Sequence, residues 1–134
     1  MGLMILDKVY LQQVFIAADA GQIVNPDGLS SQLEGGFVQG ASWTLLEEVR
    51  FDGAGIQSRE WDSYPILRFP AAPKIKTILI NRPDRPFLGS GEAAQGPAAA
   101  AIANALFDAL GVRVRDLPMT PVKVMQALGN GEDG

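Results

Sequence analysis

Phe87-Leu88-Gly89-Ser90-Gly91-Glu92-Ala93-Ala94-Gln95-Gly96-Pro97 sets three glycines around a single carboxylate and leads into an alanine-rich run that stops at Gly111. Glycine admits backbone conformations closed to other residues and lets a second backbone or a ligand come close. Gly96-Pro97 reads as a helix entrance, because proline at the first helical position has the right φ and loses no hydrogen bond there. From Ala98 to Leu110 the spacing predicts a helix with Ile102, Leu106, Ala109 and Leu110 on one face, and Gly111 as its stop. Glu92 is thereby displayed on a glycine loop just ahead of a helix made of small side chains. Taken alone, spacing favours the plainer reading of a surface loop with an incidental acid.

Working outward, Val9 to Ala18 is rich in Val, Tyr, Phe and Ile and reads as a buried strand, turned by Asp19-Ala20-Gly21. Asn25 and Pro26 mark a helix start, as N-cap and first helical residue. That helix is expected to run to about Leu46 with Leu29, Leu33, Phe37, Ala41, Thr44 and Leu45 on its core face. Gly35, Gly36 and Gly40 each cost a helix about 1 kcal/mol relative to alanine. Close approach of something to the helix is the physical reason to keep them. Gln32, Gly35, Gly36 and Gln39 form a strip of amides without bulk, suited either to a tight helix–helix contact or to a ligand.

Glu47 to Glu60, around the turn Gly53-Ala54-Gly55, reads as a hairpin with exposed charges. Trp61, Tyr64 and Ile66 are expected to anchor the connection after it, and Pro65, Pro70 and Pro73 forbid a helix there. Stacking of Trp61 on a substrate is the alternative to core packing. Lys74 to Arg82 alternates as a central strand, Val112 to Leu117 is a short extended piece, and Thr120-Pro121 opens a final helix that Gly129 ends at Leu128. The predicted class is α+β: a small mixed or antiparallel sheet packed by two main helices plus a short C-terminal helix.

The 134 residues suffice for one domain with a sizeable core, burying on the order of two-thirds of the unfolded surface. A 47% hydrophobic and 19% charged composition is that of an ordinary globular chain. A net charge of −4 with scattered Lys and Arg argues against nucleic acid as a partner. With no cysteine and no histidine the chain offers no thiolate nucleophile, no iron–sulfur or zinc ligand cluster and no imidazole base. Any general base is Asp, Glu, Lys or Tyr. No apolar run reaches the roughly 20 residues of a membrane span. Lys8 follows the apolar N-terminal residues rather than preceding them, which is not the order of a signal peptide, so the compartment stays open between cytoplasm and periplasm. Glu92 has no second acid near it in sequence, so a paired-carboxylate hydrolase is not supported. Gly89-x-Gly91 lacks the dinucleotide fingerprint.

Two blocks carry a resemblance. One is Gly91-Glu92, the small-residue run Pro97 to Ala105, and Gly111-Val112-Arg113-Val114-Arg115-Asp116-Leu117-Pro118-Met119-Thr120-Pro121. The other is Asp19-Ala20-Gly21-Gln22-Ile23-Val24-Asn25-Pro26, then Gln32-Leu33-Glu34-Gly35-Gly36-Phe37-Val38-Gln39-Gly40, then Glu47-Glu48. In this order and separation they resemble the C-terminal part of the molybdopterin-binding large or β subunit of the xanthine dehydrogenase and aldehyde oxidase family. The isoquinoline 1-oxidoreductase and nicotinate dehydrogenase branch is the nearest in pattern. The resemblance covers a single domain over residues 9–128, leaving 1–8 as an N-terminal extension and 129–134 as a polar tail.

The resemblance implies a molybdenum hydroxylase acting on an N-heteroaromatic or aldehyde substrate, with molybdopterin as cofactor and an iron–sulfur subunit as partner. It makes Glu92 the catalytic base that takes a proton from a molybdenum-bound hydroxyl. It places Gln32, and with less weight Gln39, on the pterin, beside Gly35 on the same strip. Gly89, Ser90 and Gly91 would line the cofactor through main-chain N–H groups and the Ser90 hydroxyl. The family's subunit is several times longer than this chain. The resemblance therefore also implies a need for the remainder of the molybdenum subunit, with neither firm cofactor binding nor turnover by the chain alone. The alternative is a free-standing remnant that keeps the fold without the chemistry, as an interaction or assembly module.

Overall fold

The computed structural model describes residues 8–130; residues 1–7 of the expected N-terminal extension and most of the polar tail lie outside them. Two helices and a strand pair position everything else. Strand β1 (Gln13–Asp19) and strand β4 (Lys74–Ile80) pair in parallel, from Gln13↔Lys74 to Asp19↔Ile80. Between them come helix α1 (Pro26–Leu45) and a small antiparallel hairpin, β2 (Phe51–Asp52) with β3 (Gly55–Ile56). Helix α2 (Gln95–Leu110) and helix α3 (Pro121–Asn130) complete the chain. The class is the expected α+β with two main helices and a short C-terminal one. The main strand pair is parallel, as a crossover containing a helix allows, while antiparallel pairing is confined to the two-residue arms of the hairpin.

Local chemistry sets the boundaries. The ladder begins at Lys74, whose N–H donates to the Gln12 carbonyl at 3.1 Å. The preceding rung would need Ala72 N–H, which donates instead to the Phe69 carbonyl at 3.1 Å, so β1 starts at Gln13 rather than at Val9. β4 ends at Ile80 because Asn81 turns its side chain to accept from Ile23 N–H at 3.0 Å and Arg82 N–H donates to the Gly21 carbonyl at 3.0 Å. Asn25 caps α1 as expected, its Oδ1 accepting from Gly28 N–H at 2.9 Å. α2 begins two residues before Pro97, with Ala94 rather than Gly96 at its entrance. Proline is tolerated there because the first-turn N–H groups have no helical partners to lose. Gly111 does end α2, in the left-handed conformation at φ 74°. Gly129 does not end α3, which continues through it to Asn130.

The core is the seam between α1 and α2. Leu33, Phe37, Ala41 and Leu45 from α1 meet Ala98, Ile102 and Leu106 from α2, with Val114, Met119 and Val124 closing one end. Ala109, expected on this face, points to solvent; the buried row advances by fours from Ala94. Both strands alternate, so Val14, Ile16, Ala18, Ile75 and Leu79 pack inward.

The arm between α1 and β4 is tied down by polar contacts. Tyr64 Oη donates to Glu47 at 2.9 Å, and this bond raises the phenol above its usual range, with desolvation and the negative charge acting in the same direction. Ser42 Oγ accepts from Leu67 N–H at 2.8 Å. Trp61 is not the anchor expected of it: it stands 71% exposed, and Ile66 is 39% exposed. The polar bonds of Tyr64 and Leu67, together with the Leu67 side chain packed on the core, hold the arm where Trp61 does not.

Candidate functional site

The glycine loop is held against the end of β1 by main-chain bonds. Gln22 N–H donates to the Arg85 carbonyl at 3.2 Å and Leu88 N–H to the Ala20 carbonyl at 2.9 Å. Asp19 pairs with Arg82 at 3.2 Å. Gly21 makes this approach possible: its φ is 72°, and a Cβ on it would stand 2.0 Å from the Pro86 carbonyl oxygen. From Leu88 the chain passes Gly89 and Ser90 to a turn at Gly91–Ala94 that enters α2.

Beneath that turn lies α1. Gln32 Nε2 donates to the Gly91 carbonyl at 3.3 Å. Two helical turns further on, Gln39 Oε1 accepts from Gln95 Nε2 at 2.7 Å, and Gln95 N–H donates to the Glu92 carbonyl at 3.1 Å. The expected residues Gln32, Gln39, Gly91 and Glu92 are therefore neighbours, although Gln32 and Gly91 are 59 positions apart. Glu92 is exposed, and among the described residues its carboxylate has no hydrogen-bond or ion-pair partner. Glu47 and Glu48 are engaged beyond the far end of α1, with Tyr64 and Lys123. No second acid joins Glu92 through them.

The small-residue strip divides in two. Gly36 and Gly40 belong to the helix–helix contact, with a Cβ on Gly36 3.6 Å from Ala94 Cβ and one on Gly40 2.7 Å from Ala98 Cβ. Gly35 and Gly89 face open space, with nothing within 4 Å of an added Cβ. Ser90 is half-buried. A concavity of about 260 Å³ lies between the β1 end and the glycine loop, floored by Leu33 and Pro97. A wider open depression of about 820 Å³, lined by residues 111–117 and α3, lies apart from Glu92 and its glutamines. Two of its cations are already engaged, Arg113 with Asn104 and the Phe107 ring and Lys123 with the Leu117 carbonyl. The concavity beside the glycine loop shares only Gly89 and Ser90 with the expected site; Gln32, Gln39, Gly91 and Glu92 gather on the open face beside it.

Gln95 is the residue that sequence reasoning passes over. Its position suggests the stretch before the helix, whereas it is the first residue of α2 and binds both Gln39 and the Glu92 carbonyl. Its place within the glycine-loop stretch, next to a proline-marked helix start, is the available clue.

Bare backbone at Gly35 and Gly89, carboxamides at Gln32 and Gln39, and one uncommitted carboxylate fit one side of a polar, planar organic ligand. Among the described residues no group of three or more His, Cys, Asp or Glu could hold a metal ion.

Comparison with known proteins gives the family. The family model of the molybdopterin cofactor-binding domain matches residues 6–73. The chain belongs to the molybdopterin-binding subunits of the xanthine dehydrogenase and aldehyde oxidase family. It is 46% identical over 127 residues to a nicotinate dehydrogenase subunit of Pseudomonas putida, covering 95% of this chain and 11% of that protein. It is 33% identical over 111 residues to the β subunit of isoquinoline 1-oxidoreductase from Brevundimonas diminuta, covering 83% and 14%. Quinoline 2-oxidoreductase from Pseudomonas putida 86 superposes with a TM-score of 0.77 at 27% identity, over 90% of this chain and 16% of that one. The chain therefore spans only a small fraction of the length of its relatives.

Proposed function

We propose that this chain supplies the catalytic glutamate and one wall of the molybdopterin site of a molybdenum hydroxylase that oxidises an N-heteroaromatic or aldehyde substrate. It would do so together with the remainder of the molybdenum subunit and an iron–sulfur subunit. The observation that carries the reading is the convergence of Gln32, Gln39, Gly91 and Glu92 from opposite halves of the chain onto one open face. The family match and the heteroaromatic names of the relatives support the substrate class.

In this reading Gln32 and Gln39 hydrogen-bond the pterin through the amide groups that the loop leaves uncommitted, and Ser90 adds a hydroxyl. Gly35, Gly89 and Gly91 bring bare main chain against the cofactor, where any side chain would hold it away. The bound cofactor supplies the two-electron redox chemistry of the hydroxylation. Glu92 accepts the proton at a carboxylate oxygen as the oxygen nucleophile forms. A free carboxylate is a weak base, so its effect depends on being held within hydrogen-bond reach of that proton and on exclusion of water by the assembled subunit. Its exposure in this chain is consistent with a site completed by other polypeptide, and the isolated chain is expected to be inactive.

Glu92→Gln in the complete enzyme should lower kcat by about a hundredfold or more while leaving molybdenum content unchanged. Full turnover by that variant rules out Glu92 as the base. Metal analysis and intact mass of the affinity-captured chain test the rest. Stoichiometric molybdenum with a larger polypeptide is expected. A lone, metal-free 14.3 kDa species would favour the non-catalytic remnant.

A further inference from the structure

Glu92 is carried by a surface turn between a glycine loop and α2, and nothing among the described residues holds its carboxylate. A proton acceptor needs a defined position, and flanking glycines work against one. The turn has two attachments to α1. The Gln32–Gly91 bond holds its start. Gln95 holds its end with two bonds: the main-chain N–H donates to the Glu92 carbonyl at 3.1 Å and the carboxamide to Gln39 at 2.7 Å. The backbones beneath this second attachment are close, since a Cβ on Gly40 would come within 3.4 Å of Gln95 Cα.

We propose that Gln95 is a positioning residue for Glu92: docked on Gln39, it fixes the entrance of α2 against α1 and so sets where the Glu92 turn stands. This rests on the reading of Glu92 as the base for its catalytic meaning, although the clamp itself does not. The geometry carries a second consequence. Because Oε1 of Gln39 is occupied by Gln95, the Gln39 amide presents its N–H donors outward. Gln32 spends a donor on Gly91 and keeps its oxygen as an acceptor. Gln32 thus offers a ligand its free oxygen and one remaining N–H, whereas Gln39 offers chiefly N–H donors, with Gln95 deciding the orientation of Gln39.

The test uses the whole chain in solution, with amide exchange and ¹⁵N relaxation as readouts. Gln95→Leu should make the residue-95 amide exchange about fivefold faster, the factor one ordinary hydrogen bond is worth. Relaxation should show the Gly91–Ala94 turn loosened, while β1 and β4 amides keep their protection. Gln39→Leu should do the same, and the double variant no more than either single change, because both remove one contact. Gln95→Glu should rescue the turn, since Gln39 can rotate its amide and donate to the new carboxylate. Unchanged exchange and relaxation after Gln95→Leu, additive effects of the two single variants, or failure of Gln95→Glu to rescue would each overturn the proposal. None of these readouts depends on Glu92 chemistry. Turnover by a Glu92→Gln enzyme would therefore remove the base reading while leaving the clamp standing.

Discussion

Gly21 and Gly35 show how one residue type answers to opposite constraints. Gly21 combines a φ of 72° with the Pro86 carbonyl oxygen 2.0 Å from where a Cβ would be, whereas Gly35 is helical and faces open space. Gly21→Ala should destabilise the chain by about 2 kcal/mol or more, because strain and a backbone clash combine. Gly35→Ala should stabilise it by about 1 kcal/mol, the propensity gain of alanine in a helix. Thermal melts of the two variants check both signs. If Gly35 faces the cofactor, its added methyl should also lower the cofactor content of the complete enzyme. At this scale the sequence is informative wherever residue chemistry acts locally: the Asn25 cap and the left-handed Gly111 need only their neighbours to be read. It is silent on Gln95, whose partner Gln39 is 56 positions away.

Between elements, the distance from α1 to α2 is set by the absence of side chains. A Cβ on Gly40 would stand 2.7 Å from Ala98 Cβ and 3.3 Å from the Gln95 carbonyl oxygen. Gly40→Ala must therefore part the helices, at an expected cost of about 1–3 kcal/mol despite alanine's better helix propensity. Gly40→Ala paired with Ala98→Gly, which returns the space, should recover much of that loss in denaturant titrations. The repeated glycines of the sequence announce a close contact, but not which of them makes it. Rotation about the helix axis separates Gly36 and Gly40, turned inward, from Gly35, turned outward. That rotation is fixed by where Ala94 and Ala98 arrive, and so by tertiary packing. The arm after α1 escapes sequence reading for the same reason: Trp61 suggests burial, while Tyr64 and Leu67 find polar partners on and just beyond α1 instead.

Across the molecule, the β1–β4 pair has a covered face and an uncovered one. Phe15, Ile78 and Ile80 are 62%, 47% and 42% exposed on the outer side. Parallel sheets ordinarily have both faces covered, so this apolar surface is a liability for the isolated chain. Replacing Phe15 and Ile78 together by Ser and Lys should reduce binding of an apolar dye and lower self-association in sedimentation runs, with helical content unchanged. An increase in dye binding would mean that these side chains support the core. The α+β class is legible in the alternation of the strands and the caps of the helices. The direction of strand pairing is not, because both directions present the same period of two along each strand.

That parallel register also constrains how the chain reaches its native state. Each β1 residue meets a partner about sixty positions later, so the ladder closes a long loop and contributes nothing until most of the chain has been made. During synthesis, α1 emerges with Leu33 and Phe37 apolar and uncovered, and the glycine loop and α2 that pack on it come later still. Assembly of the carboxylate turn is then a late folding event. The nascent chain therefore carries an uncovered apolar helix before either the ladder or the second helix can shelter it.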